Sequence, residues 1–467
     1  MSVLITSKVR FLSAVKQGLI KTISATRLYP PQIWLLYRNK LMSIILADRF
    51  EQEIETRGHL IDSMILTRIF DGIMDLRGDF QVLEFTVGKR KSDPSYARLL
   101  VKGKSKEHLE SILEQVYREG AQPVSVQEVK LKPAPKDMVM PDDFYSTTNN
   151  TTQVYYSGQW INIDNMMMDK CISVNIQRKT AECKMVRDII RGDMIVVGEQ
   201  GVKIIPQERP REGIDIFQFM SSTSSSERPT QHIARKVASD IYNTRKEGGK
   251  MIVVSGPVLV HSGAAEALAS LIRMGYVGGL LAGNAIAVHD VENALLGTSL
   301  GMRVKDGTLA VRGHRNHMQA INEVFKAGGL KALVEKRLLK SGVMYECIKN
   351  GVPFVLAGSI RDDGPLPDVI TDVVEAQRKY KEVIKEAKLV LMLSTMLHSI
   401  AVGNMLSASV KVVAVDISQP VVTKLIDRGT AQAIGIVTDV GAFLPIVVEL
   451  LKEIAAAEER KNNDRNK

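Results

Sequence analysis

Six short polar segments, each following an apolar run, carry the residue types from which a reaction site is built: GPVLVHSG, GNAIAVHD, GSIRDDGP, STMLHS, DISQP and DVG. Their glycines let a ligand come close to the backbone, and their Ser, Thr, Asn and Asp side chains either cap the next helix or bond a bound molecule. Small, polar ends of this kind are the lining a nucleotide needs. Asp416, closing VVAVD, stands where dinucleotide folds keep the acid that bonds ribose hydroxyls; its alternative role is to cap the helix near Val421. Asp439 reads equally well as a helix cap and as a ligand contact. Neither G-x-G-x-x-G nor G-x-x-x-x-G-K-[ST] occurs, so a pyrophosphate would rest on helix N-termini and backbone amides at GNA (283–285) and STMLH (394–398).

GSIRDDGP sets Arg361 beside Asp362 and Asp363 on a Pro-stiffened turn, with Asp368 and Asp372 close behind. Its bland alternative is a solvated surface turn. His289, His314, His317 and His398 lie in the same half, in neither H-x-x-x-H nor H-E-x-x-H order. His314 and His317, three apart in RGHRNH, suit one helix face, but no third ligand is evident, so hydrogen-bonding roles are expected and no metal site. Met166, Met167 and Met168 have no His or Cys at ligand spacing and read as core filler.

The elements that must position these groups follow from periodicity. From 230 onward, apolar runs at 251–256, 277–283, 352–358, 389–395, 410–416 and 433–439 alternate with helical patterns such as VITDVVEAQRKYKEVIKEA. Continuous apolar strands with intervening helices predict a parallel sheet covered on both faces, with ligands outside the carboxyl ends of the strands. Residues 42–130 read as a ferredoxin-like α+β domain, βαββαβ, with HLI (59–61) as first strand and a helix carrying Ile65, Ile69, Ile73 and Leu76 on one stripe. Ser105 reads as the N-cap of its second helix. Residues 131–229 read as a small β-rich, barrel-like unit ending in the linker SSTSSSERP.

The chain has 467 residues, 45% hydrophobic and 24% charged, enough for several cores. Its net charge of +10 suggests an anionic partner, but seven cations fall within residues 1–41 and no acid precedes Asp48. The basicity therefore belongs mainly to this leader, and no nucleic-acid partner is expected. The leader has the composition of a transit peptide and lacks an apolar run of about 18 residues, so no membrane span is expected. It reads as an upstream start codon with Met42 the true start, as a targeting or membrane-surface segment, or as an ordinary packed helix. Three cysteines, Cys171, Cys183 and Cys347, fit neither a disulfide framework nor a metal site; free thiols in the cytoplasm are expected.

Five segments taken together, GNAIAVHDVENALLGTSLG, RGHRNHMQAIN, GVPFVLAGSIRDDGPLPDVITD, LSTMLHSIAVGNML and VVTKLIDRGTAQAIGIVTDVG, resemble the LOR/SDH conserved-region family, which includes archaeal-type ornithine cyclodeaminases. The likeness runs from about Met42 to the last helix and extends to the C-terminal module of bifunctional arginine dihydrolases. It implies an α/β fold whose C-terminal parallel-sheet domain (230–467) binds NAD as deoxyhypusine synthase does. It also implies NAD contacts from Asn284, Ala285, Asp362, Ser394, Thr395, Met396, Leu397, His398, Asp416, Ile417, Asp439 and Val440. The bifunctional relatives carry a guanidine-hydrolysing domain ahead of this module, for which 41 residues are too few, so arginine hydrolysis is not expected.

The activity implied is conversion of ornithine to proline and ammonia. The reaction is redox-neutral overall, with a hydride lent to NAD and returned within the turnover, which favours an enclosing site that excludes water. Such a site needs a cation for the substrate carboxylate, acids for its ammonium groups and a base for an amine proton. Arg361 and Asp363 are the expected substrate contacts, and His289 or Asp290 the expected proton carrier. An amino-acid substrate and a homo-oligomer are expected. Two rivals stay open: net oxidation of an amino acid such as saccharopine or lysine, and a regulatory protein that holds NAD passively.

Overall fold

A computed structural model of the chain describes residues 50–61, 63–89, 93–206, 230–310, 313–362, 364–427 and 433–465. The basic leader and the SSTSSSERP linker lie outside the described residues.

The first unit runs β1 (Glu51–Gly58), α1 (Ile65–Asp75), β2 (Asp79–Thr86), β3 (Ser95–Lys102), α2 (Lys106–Arg118) and β4 (Gln122–Pro123). Its sheet has the order β4-β1-β3-β2, the ferredoxin-like arrangement. HLI is not a strand. The first strand is EQEIETRG, whose acids disguise it: Ile54 and Thr56 face the core, while Glu53 accepts from Arg98 Nε at 3.0 Å and Glu55 from Tyr96 Oη at 2.9 Å on the wet face. Ile65, Ile69 and Ile73 are buried as their spacing requires, whereas Leu76 sits at the frayed helix end, largely exposed. Ser105 caps α2 by accepting from the His108 amide at 3.1 Å.

The second unit is one seven-stranded sheet, β5 (Lys130–Pro133), β6 (Thr151–Tyr156), β7 (Gln159–Asp164), β8 (Cys171–Asn175), β9 (Thr180–Lys184), β10 (Met194–Val197) and β11 (Val202–Ile205), ordered β11-β6-β7-β9-β8-β10-β5. It curls toward closure, because the Val129 amide just before β5 donates to Tyr155 O on β6 at 2.9 Å.

The third unit alternates α3 (Thr230–Lys246), β12 (Lys250–Ser255), α4 (Val258–His261), α5 (Ala265–Arg273), β13 (Val277–Gly283) and α6 (Asn284–Leu296). A small hairpin follows, β14 (Thr298–Ser299) with β15 (Met302–Arg303), then α7 (Asn316–Ala327), α8 (Leu330–Glu335) and α9 (Val343–Lys349). The rest is β16 (Phe354–Ala357), β17 (Val369–Ile370), α10 (Val373–Ile384), β18 (Ala387–Leu393), α11 (Met396–Gly403), β19 (Lys411–Asp416), α12 (Gln419–Asp427), β20 (Ala433–Val437) and α13 (Val440–Arg465). All seven sheet strands are parallel, in the order β17-β16-β13-β12-β18-β19-β20.

Both faces of this sheet are buried, which is why its strands lack polar alternation. Met251 and Val253 face one core with α3, α5, α6 and α13; Ile252 and Val254 face the other, with α10, α11 and the curled sheet of the second unit. Met166 and Met167 belong to that second core, as filler. From β12 the chain builds outward through β13, β16 and β17 on one side and through β18, β19 and β20 on the other. The topological switch, where such sheets bind ligands, therefore lies between β12 and β18. Among the described residues no helix is long and apolar enough to cross a membrane.

Candidate active site

At the switch point two strand ends touch. A Cβ on Gly256, after β12, would lie 2.3 Å from the carbonyl oxygen of Ser394, after β18, so only glycine fits there. Ser394 itself takes a left-handed backbone, φ 49°, uncommon for a residue with a side chain. Strain of this kind collects at ligand clamps. Thr395 starts α11 and Gly283 starts α6, both without a side-chain cap, which leaves helix-terminal amides open to an anion.

The neighbouring strand ends are open and partly apolar. Leu397 is 68% exposed and Ile417 74%, large side chains with little protein over them. Asp416 uses one carboxylate oxygen on the Ser418 amide and Asp439 one on the Gly441 amide, each at 2.8 Å. Their other oxygens have no hydrogen-bond partner among the described residues. Met396 is exposed like its neighbour Leu397, Ala285 is half-buried and Val440 is buried. Asn284 is buried, and its Oδ1 accepts from the Leu366 amide at 3.1 Å, tying α6 to the loop after β16. His398 packs beside Gly283, where a Cβ would meet its Nε2 at 2.7 Å. Tyr380 Oη donates to Ala282 O at 2.6 Å, so the 3.1 Å contact to His398 Nδ1 requires the imidazole to donate. Burial pushes the His398 pKa down, partly opposed by the charge of Asp362.

Most acids of the crowded loop hold backbone. Asp362 accepts from the Ser359 amide at 2.8 Å and closes the turn, Asp368 accepts from the Leu330 amide at 2.8 Å and starts α8, and Asp372 caps α10 through the amides of Val374 and Glu375. Those two bonds draw the Asp372 carboxyl below its ordinary range. Arg361 is exposed and has no ion-pair partner among the described residues. Asp363 lies outside the described residues.

A second constellation stands beside the ends of β12 and β13. Glu292, wholly buried on α6, accepts at Oε1 from Thr298 Oγ1 (2.8 Å) and the Gly301 amide (3.0 Å), and at Oε2 from His289 Nδ1 and the Leu300 amide (both 3.2 Å). Burial alone would raise its pKa, but the donors outweigh it and hold the carboxyl well below its usual range. His289 is sandwiched: its ring centre is 4.6 Å from that of His261, edge-on, and 4.7 Å from that of His317. His261, at the end of α4, bonds Ser299 Oγ through Nδ1 at 2.6 Å; burial, then His289, push its pKa down to about 4. His317 Nδ1 lies 3.8 Å from Glu292 Oε2, an ion-pair distance too long for a hydrogen bond, and has no hydrogen-bond partner among the described residues. Donor atoms of His289, Glu292 and His317 lie within 4.8 Å of one another, the make-up of a two-histidine, one-carboxylate metal site. The four lone-pair sites of Glu292 are already filled, which favours a hydrogen-bonded cluster.

Asp290 does not join it. Fully buried, it points the other way, with one oxygen on the Val343 amide (2.9 Å) and the other on the Met344 amide (2.8 Å), capping α9. Burial pushes its pKa up to about 6 against the pull of those two bonds. This geometry gives Asp290 a capping role and favours His289 over it as the proton carrier. Sequence reasoning missed His261 and Glu292 and saw His317 only as half of a doubtful metal pair; the available signal was the His-x-x-Glu spacing of 289 and 292, which puts both on one helix face.

Residues 235–447 match the family described as the C-terminal Rossmann fold of arginine dihydrolase ArgZ-like proteins, residues 151–234 the first C-terminal region of the same proteins, and residues 51–150 the LOR/SDH bifunctional enzyme conserved region. The ornithine cyclodeaminase of Methanocaldococcus jannaschii is 54% identical over 410 residues, which is 87% of this chain and 97% of that protein. The ornithine cyclodeaminase of Methanopyrus kandleri is 53% identical over 409 residues, 88% of this chain and 99% of that one. The apo crystal structure of ArgZ, a cyanobacterial arginine dihydrolase, is similar with a TM-score of 0.76 at 39% identity, covering 87% of this chain and 58% of that one. With a Rossmann-type parallel sheet and near full-length relatives at this identity, the chain belongs to the ornithine cyclodeaminase family of enzymes.

Proposed function

We propose that this chain converts L-ornithine to L-proline and ammonia with a tightly held NAD. The observation that carries the reading is the contact of Gly256 with left-handed Ser394 at the switch point, flanked by the uncapped starts of α6 and α11. These residues fit a dinucleotide: helix-terminal amides for pyrophosphate, Asp416 for ribose hydroxyls, Leu397 and Ile417 as apolar surface for a ring. Held there, a nicotinamide would supply a reversible hydride acceptor for the substrate Cα.

The chain's own residues do the rest. The Nε2 of His289 receives a proton from the substrate α-ammonium and later gives one to the departing nitrogen. Exposed Arg361, with Asp363, orients the substrate carboxylate and an ammonium group. Asp362, beside His398, keeps the loop after β16 against the cofactor.

Incubating the pure protein with ornithine and substoichiometric NAD⁺ tests this reading. Proline and ammonia in equal amounts support it. NADH accumulating one per substrate would mean an amino-acid dehydrogenase, and NAD binding without turnover a regulatory protein.

A further inference from the structure

The carboxylate at the centre of the histidine cluster is far more elaborately held than a helix residue requires. Glu292 accepts from a hydroxyl, two backbone amides and an imidazole, and it is wholly buried. A carboxylate kept ionised in such a place acts on whatever titrates beside it. The groups that face it are His289 on its own helix, His261 from α4 and His317 from α7, together with the neutral hydroxyls of Thr298 and Ser299. Asn316, at the start of α7, donates to Thr298 Oγ1 at 2.8 Å and fastens the hydroxyl that fastens Glu292.

We infer that Glu292 is a positioning residue that fixes His289 as the Nδ1–H tautomer and, with the two flanking imidazoles, makes the cluster a store for one proton. An ionised carboxylate has no hydrogen to give, so the 3.2 Å contact requires His289 Nδ1 to donate, which leaves Nε2 as the basic nitrogen. Among the described residues nothing hydrogen-bonds the Nε2 of His289 or of His317. One charge is neutralised by Glu292. A second would bring two imidazolium rings less than 5 Å apart, centre to centre, with one carboxylate between them.

One stored proton is what the proposed reaction needs, and on that reading the inference rests. The substrate α-ammonium loses a proton to Nε2 so that the Cα–H bond can break with its electron pair leaving as hydride. The δ-amine then forms the new bond to C2. The original α-nitrogen takes the proton back from Nε2, the ring nitrogen gives one of its own to the vacated Nε2, and the C2–N bond to the α-nitrogen then breaks, releasing ammonia and leaving the protonated ring imine. Once the hydride returns to C2, this second proton passes to the proline nitrogen, so the cluster carries one proton at a time and ends with none.

The first test needs no ornithine. In ¹⁵N-histidine-labelled wild-type protein, with His289→Gln used to assign the resonance, His289 is expected in the Nδ1–H form near neutral pH. An Nε2–H form would overturn the inference even if ornithine turns over normally. The second test is kinetic. Glu292→Gln keeps an oxygen for Thr298 and Gly301 but turns an amide N–H₂ toward His289, inverting its tautomer, so kcat should fall roughly 100- to 10,000-fold while the KM for ornithine and the affinity for NAD change only a few-fold. Glu292→Asp should recover part of kcat. If Glu292→Gln keeps kcat within about threefold, the inference fails; if that variant does not fold, the wild-type tautomer decides. Failure of the cyclodeaminase reading is separate: it would show as absent wild-type turnover with the Nδ1–H form intact.

Discussion

Two parts of the same sheet edge are built on opposite plans. Beside β12 and β13, Glu292 is completely buried and every one of its lone-pair sites has a donor. Beside β18 and β19, Leu397 and Ile417 stand largely bare, and α11 starts without a side-chain cap. A region finished in the free protein can hold proton-carrying groups in register before substrate arrives. A region left open is completed by the ligand it binds. On the proposed reading, preorganised chemistry next to an open surface that a cofactor would cover suits a reaction that lends out a hydride.

The comparison is broken most directly at the finished side. His289→Gln should lower kcat roughly 100- to 10,000-fold and remove its limb of the pH–rate profile, with the unfolding midpoint little changed. An unaltered profile would exclude the imidazole. Asp290→Ala separates structure from chemistry one residue away: it strips the acceptors from two buried amides of α9 and should cost about 2–5 kcal/mol in urea unfolding. Turnover per folded molecule should survive it.

Acid should undo the same side. The folded-state pKa of His261 is depressed to about 4 and that of Glu292 lies below its ordinary value, so both contribute stability at neutral pH. The His261 share is lost as pH falls below about 6.5 and through 4, and the Glu292 share at still lower pH. Urea midpoints measured from pH 7 to 4 should fall less steeply in His261→Phe than in wild type. The smallest effect belongs to the open side: Leu397→Ser should change stability by less than about 0.5 kcal/mol, because little is lost from an exposed position, yet weaken NAD binding a few-fold by calorimetry.

Much of the fold was legible because the parallel strands are continuous apolar runs with no solvent face. VGGLLAG is the strand Val277–Gly283 residue for residue, and VKVVAVD loses only its first valine. β1 was hidden by its charges, which pair across the wet face with Arg98 and Tyr96, and β17, two residues long, is too short for any periodicity. At the site, the acids and glycines at strand ends stood out by type. What each acid does could not be read, since the partners of Asp290 lie more than fifty residues away and those of Asp368 nearly forty. The histidine cluster draws on α4, α6 and α7, elements brought together only by the sheet they pack on.

The most direct test of the central claim is a single reaction mixture of purified protein, L-ornithine and NAD⁺ at a small fraction of the ornithine, followed for proline, ammonia and absorbance of reduced cofactor. Proline and ammonia rising together to many times the NAD⁺ present, with no build-up of NADH, is the predicted result. Reduced cofactor accumulating in step with substrate loss, or no proline at all, would contradict it.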